Sequence, residues 1–236
     1  MKAPWDILEP AARQDLERGL RAVGRVERLT GTVFAVSMAL LVLVLFLPFL
    51  AGSTERAALG HTLREMLPAL GVCVLSFVLL FSCWVLHHFQ LHYFVRTGGE
   101  TLWVNGALMM VVALVPFSTA LVSARSIASE TAALYALNFL AIQALLLLNW
   151  QLAVKTGLLF GGNMPGAVAR RMRLVLTVSS GYGLGTVLLA WTSPHATVSM
   201  LAMLAAFYIF LTARGGYTLD AFKRRPAPPP DMPWPL

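Results

Sequence analysis

Six apolar runs, separated by short polar connections, set the pattern of the chain. The first is the most sharply bounded. Charge ends at Arg28, and apolar side chains dominate from Thr30 to Pro48, about 28 Å of helix at about 1.5 Å per residue, close to the thickness of a bilayer core. Five more runs follow, over residues 66–87, 102–123, 132–154, 174–192 and 197–212. Their length and scarcity of charge predict an all-α integral membrane protein with six transmembrane helices in one domain, residues 29–214. Residues 1–28 space Trp5, Ile7, Leu8, Leu16, Leu20 and Val23 at helical intervals among charges, as an amphipathic cytoplasmic or interfacial segment does. Residues 215–236 contain six prolines between Pro226 and Pro235 and are read as an extended cytoplasmic tail.

An even number of crossings puts both termini on one side, and the loop charges choose which. Fifteen of the 18 Lys and Arg residues fall before the first run, in the second-to-third and fourth-to-fifth connections and in the tail; only Arg56, Arg64 and Arg125 fall opposite. Both termini are therefore expected in the cytoplasm of a multi-pass cell-membrane protein.

Composition agrees with that reading: 58% of residues are hydrophobic and 12% charged. The net charge of +7 is concentrated at loops rather than on an aromatic-interleaved face, so the lipid bilayer is the expected partner and nucleic acid is not. Cys73 and Cys83 stand ten residues apart in one run, about 15 Å along a helix and too far for a disulfide. The N-terminal region carries acidic residues and no small-residue cleavage site before its first apolar run, so no signal peptide is expected. The glycine-rich stretch Phe160 to Gly166 lacks the Lys-Ser/Thr ending of a phosphate loop and reads as a cytoplasmic turn. Gly181, Gly183 and Gly185 give the fifth helix small positions suited to close helix packing.

Catalytic chemistry has little to work with. The six runs contain no Gly-x-Ser-x-Gly, no His-Glu-x-x-His and no Asp or Glu, which disfavours both an enzyme and a proton-coupled transporter. No cofactor or metal site is expected. A channel and a noncatalytic membrane scaffold remain as the two classes.

Topology assigns depths to the polar residues. The first helix enters from the cytoplasm near Thr30, the second returns to it at Trp84, His87 and His88, and the third leaves it with Asn105 a turn inside. Arg25, Thr30, Trp84, His87 and Asn105 are therefore expected at one depth, where mutual hydrogen bonding is the economical way to avoid an unsatisfied group in hydrocarbon. His88 and His92 read as interfacial histidines, and Asn138, Gln143 and Asn149 as interhelical hydrogen bonders rather than the lining of a hydrophilic path.

The first helix resembles that of the transmembrane protein 175 potassium channel family, in which an Arg and three intervening residues lead to an aromatic-Ser-Asp motif, then Val-Phe-Ala-Ile and a Leu-rich run. Arg25, Val33 to Val36, Leu40, Leu41, Leu43 and Pro48 match; Leu29, Thr30 and Gly31 replace the aromatic, Ser and Asp. Trp84-x-x-His87, Asn105 and Pro116-Phe117-Ser118-Thr119 continue the likeness, which covers residues 25–123 well and the last three helices by number and length. The resemblance implies a cation channel passing K⁺, assembled as a homotetramer around the first helix. With Val36 at zero and about 100° per residue, Thr32, Ala39, Leu40, Leu43 and Leu47 all fall within about 60° of it, one stripe along the membrane. Val42 falls on the opposite side of the helix. The likeness makes that stripe the pore lining and Val36 its apolar constriction.

Overall fold

The computed structural model describes residues 10–50, 59–123, 128–157 and 166–214. Seven helices make up the described chain: α1 (Pro10–Leu50), α2 (Leu59–His92), α3 (Gly99–Ala113), α4 (Val115–Val122), α5 (Ser129–Lys155), α6 (Gly166–Ala190) and α7 (Pro194–Arg214). Together they provide six helical spans long and apolar enough to cross a membrane, so the protein is a multi-pass, all-helical membrane protein. The Pro-rich tail, the residues before Pro10 and most of the glycine-rich turn lie outside the described residues.

α1 runs without a break through the boundary expected at residue 28. It spans 41 residues, about 60 Å, so its residues 10–28 extend the first crossing rather than forming a separate element. Gly19 shows how the extension is held. A Cβ at that position would lie 2.6 Å from the Val95 carbonyl oxygen and 3.1 Å from Arg96 Cβ, so only glycine lets α1 lie this close to the α2–α3 connection. Val23, one turn on, is buried on the same side.

The third crossing consists of two helices, α3 and α4, because Pro116 brings no N–H to the ladder. The Leu114 N–H turns back to Val111 O at 3.2 Å. Asn138 of α5 spans the break. With its amide oriented so that each atom meets a complementary group, it donates to Val111 O (3.0 Å), accepts from the Val115 N–H (3.1 Å) and lies 3.0 Å from the Ser118 hydroxyl. A buried amide thereby replaces backbone partners that the proline displaced.

α5 is central and packs on α3, α4, α6 and α7, with Tyr135, Phe139, Ile142 and Trp150 fully buried. Of the three small positions on α6, Gly183 is the one that meets a neighbour: its Cβ would lie 3.1 Å from Gln143 Oε1 and 3.2 Å from Leu140 Cδ1, whereas Gly181 and Gly185 have nothing within 4 Å. A separate hydroxyl cluster joins α2, α4 and α5, with Ser76 Oγ 2.7 Å from the Tyr135 hydroxyl and Thr119 donating to Ser76 at 2.9 Å. Cys73 and Cys83 are both free and buried.

Candidate functional site

α1 packs on α2, α3 and α4 through one narrow sector. Val23, Thr30, Phe34, Ser37 and Leu41 are its buried positions, and at about 100° per residue they occupy a sector from about +100° to about +160° relative to Val36. The opposite sector is bare. Val36, Leu40 and Leu43 are 52%, 42% and 50% exposed, and Thr32 and Ala39 are exposed beside them. Leu47 lies in the helix but outside the described side chains. The Thr32 hydroxyl is satisfied within the helix, donating to Arg28 O at 2.9 Å. Val42 is also exposed, at 52%, so it flanks the stripe rather than facing the subunit core.

Every crossing of a membrane protein shows some face to lipid, so exposure alone does not distinguish α1. Degree sets it apart from most of them: its apolar stretch is 22% buried inside the subunit, against 28% for the last crossing and 33–50% for the other four. α1 is the least covered crossing.

The polar residues gather beside the packed sector, near the end of the bundle where α2 finishes and α3 begins. His87 Nε2 lies 2.7 Å from Asn105 Oδ1. Asn105 Nδ2 donates to Thr101 O at 2.8 Å and to Asn149 Oδ1 at 3.2 Å. Asn149 Nδ2 then donates to Gln90 Oε1 at 3.2 Å, and Gln90 Nε2 ends the chain on Leu146 O at 3.0 Å. All four side chains are buried, and each amide or imidazole has a partner, as hydrocarbon demands.

The five residues expected together divide. His87 and Asn105 form the core of the network. Trp84 is half-buried and stacks on His88, ring centroids 5.5 Å apart. Thr30 is buried, but its hydroxyl makes no hydrogen bond among the described residues. Arg25 is exposed on the far side of α1. Depth placed it near the cluster, but its angle of about −20° points it away from the packed sector.

Gln90 and Asn149 complete the network. Asn149, expected as an interhelical hydrogen bonder, joins a cluster to which depth had not assigned it; Gln90 went unforeseen, and its spacing to His87 at i, i+3 was the available signal. Glu27 meets His88 across the α1–α2 interface, Oε1 to Nδ1 2.8 Å. Gly31, one turn above Glu27, places the point where its Cβ would be 3.8 Å from Trp84 Nε1. Of the α5 amides, Asn138 and Asn149 are interhelical hydrogen bonders as expected. Gln143 is buried against Gly183 with neither amide atom bonded among the described residues.

Six crossings, a scarcely covered first helix and an interhelical polar network define the class: a helical membrane protein with no catalytic constellation among its described residues. The profile of the endosomal/lysosomal potassium channel TMEM175 family matches residues 25–116. A potassium channel of Streptomyces collinus is 33% identical over 192 residues, covering 79% of this chain and 91% of the relative. A second, from Chamaesiphon minutus, is 35% identical over 122 residues, covering 50% of this chain and 60% of the relative. The crystal structure of a lysosomal potassium-selective channel TMEM175 homolog from Chamaesiphon minutus superposes with a TM-score of 0.68 at 25% identity, over 82% of this chain and 98% of that one. The chain belongs to the TMEM175 family, a family of ion channels and not of enzymes.

Proposed function

We propose that the protein is a potassium channel of the cell membrane, a homotetramer whose four copies of α1 turn their bare stripe toward a common axis. The observation that carries this reading is the stripe itself. Val36, Leu40 and Leu43 stand on the least covered crossing, uncovered by their own subunit, in a chain whose relatives are named potassium channels. K⁺ is the permeant ion, and both termini face the cytoplasm, as the loop charges favour.

Rings of Val36 with Leu40 or Leu43 offer no oxygen to replace hydration water. Such rings act by narrowing the path and by dewetting, which makes conductance low and the preference for K⁺ over Na⁺ modest. The packed sector supports the stripe from behind. Phe34, Ser37 and Leu41 fix the rotation of α1 on α2, α3 and α4, and the His87 to Gln90 network fixes α2, α3 and α5 to one another.

The test is ion flux through purified protein in liposomes under K⁺, Na⁺ and Cl⁻ gradients. Val36→Asn and Leu43→Asn are expected to raise flux by about tenfold by admitting water to the constriction, while Val42→Asn leaves it unchanged. Equal flux in all three variants, or no flux in wild type under any gradient, returns the protein to a scaffold without a pore. Orientation is tested with a reporter active only in the cytoplasm, fused to each terminus; silence of the C-terminal fusion on stably expressed protein contradicts the even number of crossings.

A further inference from the structure

The cytoplasmic extension of α1 carries a second stripe on the same line as the first. Relative to Val36, Arg18 falls at about 0° and Arg25 at about −20°, with Arg21 at about −60° and Arg28 at about −80°. All four are exposed. The extension cannot swivel freely, because Gly19 and Val23 dock it at about +100° and +140° against the α2–α3 connection. The sector that packs is thus continuous from Val23 to Leu41, and so is the sector that does not.

Acidic side chains only partly neutralise this face. Asp15 meets Arg18 at 3.4 Å with both side chains largely exposed, at 77% and 70%. Glu17 approaches Arg21 at 3.8 Å. Glu27 points around the helix to His88. Arg25 stands exposed on the face between these pairs, and exposed pairs of this kind hold weakly. Guanidinium forks match phosphate oxygens in geometry and charge.

We propose that this arginine face, centred on Arg18 and Arg25, binds soluble oligophosphate anions at the cytoplasmic mouth of the channel, one anion shared by four subunits. The sharing rests on the reading of α1 as the pore helix, since only convergence of four stripes brings the guanidinium groups around one ligand. Arg18 lies about 18 Å along the helix below Thr30, away from the apolar crossing, which favours a soluble anion over a lipid headgroup. Four basic stripes about one axis disfavour cation entry from that side, and a bound polyanion relieves that repulsion.

Binding is measured by titration calorimetry with tripolyphosphate on the intact tetramer in phosphatidylcholine nanodiscs. The expected result is one anion per four chains, with affinity falling as KCl is raised. Arg18→Gln combined with Arg25→Gln is expected to weaken binding by about tenfold or more, while Arg170→Gln with Arg173→Gln leaves it unchanged. Gly19→Val keeps every arginine but forces the extension off Val95 and Arg96, and it is expected to weaken binding as well. Arg18→Gln alone, outside the membrane and outside every packed contact, guards against misfolding of the double variant and is expected to weaken binding by about threefold.

Absence of binding in wild type, or equal binding by wild type and both arginine variants, overturns the site. Stoichiometry of one anion per chain overturns the shared vestibule. Loss of binding when about a fifth of the lipid is phosphatidylglycerol identifies lipid phosphate as the occupant and also overturns it. Calorimetry needs no conduction, so the two readings fail separately. Val36→Asn raising flux in protein that binds no tripolyphosphate leaves the pore and removes the anion site; shared binding in protein that passes no ions does the reverse.

Discussion

The two sides of α1 follow opposite rules. On the packed side, polar and apolar groups lie buried together: Thr30 and Ser37 sit among Val23, Phe34 and Leu41, and behind them His87, Asn105, Asn149 and Gln90 form a continuous run of hydrogen bonds. On the bare side the membrane portion offers Val36, Leu40 and Leu43, and the extension offers arginines. The packed side makes its contacts inside one subunit, with the Thr30 hydroxyl the one buried group on it that finds no hydrogen bond among the described residues. The bare side has contacts left to make, and substitution on the two sides is therefore expected to move different observables.

The largest effect on subunit stability is expected from Asn105→Ala. It removes the acceptor facing His87 and the donor to Asn149, leaving two buried groups unpaired, at a cost of about 2 kcal/mol given the small net value of membrane hydrogen bonds and the larger cost of orphaned groups. Thermal unfolding in detergent measures it. Val36→Asn is expected to change subunit stability by less than about 0.5 kcal/mol, as exposed positions do, while changing flux. A stability loss at Val36 matching that at Asn105 would erase the distinction between the sides.

Asn138→Ala comes next. The amide spans the α3–α4 break, and its loss leaves the Val115 N–H without its side-chain acceptor and Val111 O with the Leu114 N–H alone, at a cost of about 1 kcal/mol. Pro116→Ala in the same background offers the third crossing an uninterrupted ladder and is expected to recover part of that loss. No recovery would mean that the break at Leu114 is held by packing rather than by the missing N–H.

Why some of this was legible in the sequence and some not comes down to two coordinates of a helix residue, its depth and its angle. Counting crossings gives depth, and depth correctly brought His87 to Asn105 from different helices. It also drew in Arg25, whose angle excludes it. Asn149 shares the same depth on α5, but depth reasoning that stopped at the third helix could not reach it, and Gln90 was passed over one turn from His87. The unbroken course of α1 was hidden for a different reason. Charged residues at helical spacing before Thr30 look the same whether the helix ends at the membrane or continues through it, and the tight contact at Gly19 depends on a loop far away in sequence.

The smallest expected effect concerns a polar contact that ties α1 to α2. The family places an Asp where this chain has Gly31, and here Glu27 lies one turn earlier on the same face, 2.8 Å from His88 Nδ1. His88 in turn stacks on Trp84, whose indole nitrogen lies 3.8 Å from the point where a Cβ on Gly31 would be. An acidic side chain at residue 31 could thus accept the indole N–H, while Glu27 acts on the same aromatic pair from below. Glu27→Ala is expected to cost about 0.5 kcal/mol, since the pair is only partly buried, and to loosen the rotation of α1. Gly31→Asp in that background is expected to restore the loss. Gly31→Ala is the necessary control, because removing a glycine from a helix interior stabilises it by about 0.5–1 kcal/mol by itself. If Ala restores as much as Asp in thermal unfolding, helix propensity explains the recovery and the carboxylate has no role at residue 31. If Asp exceeds Ala, a single carboxylate at either of two turns is enough to tie α1 to α2.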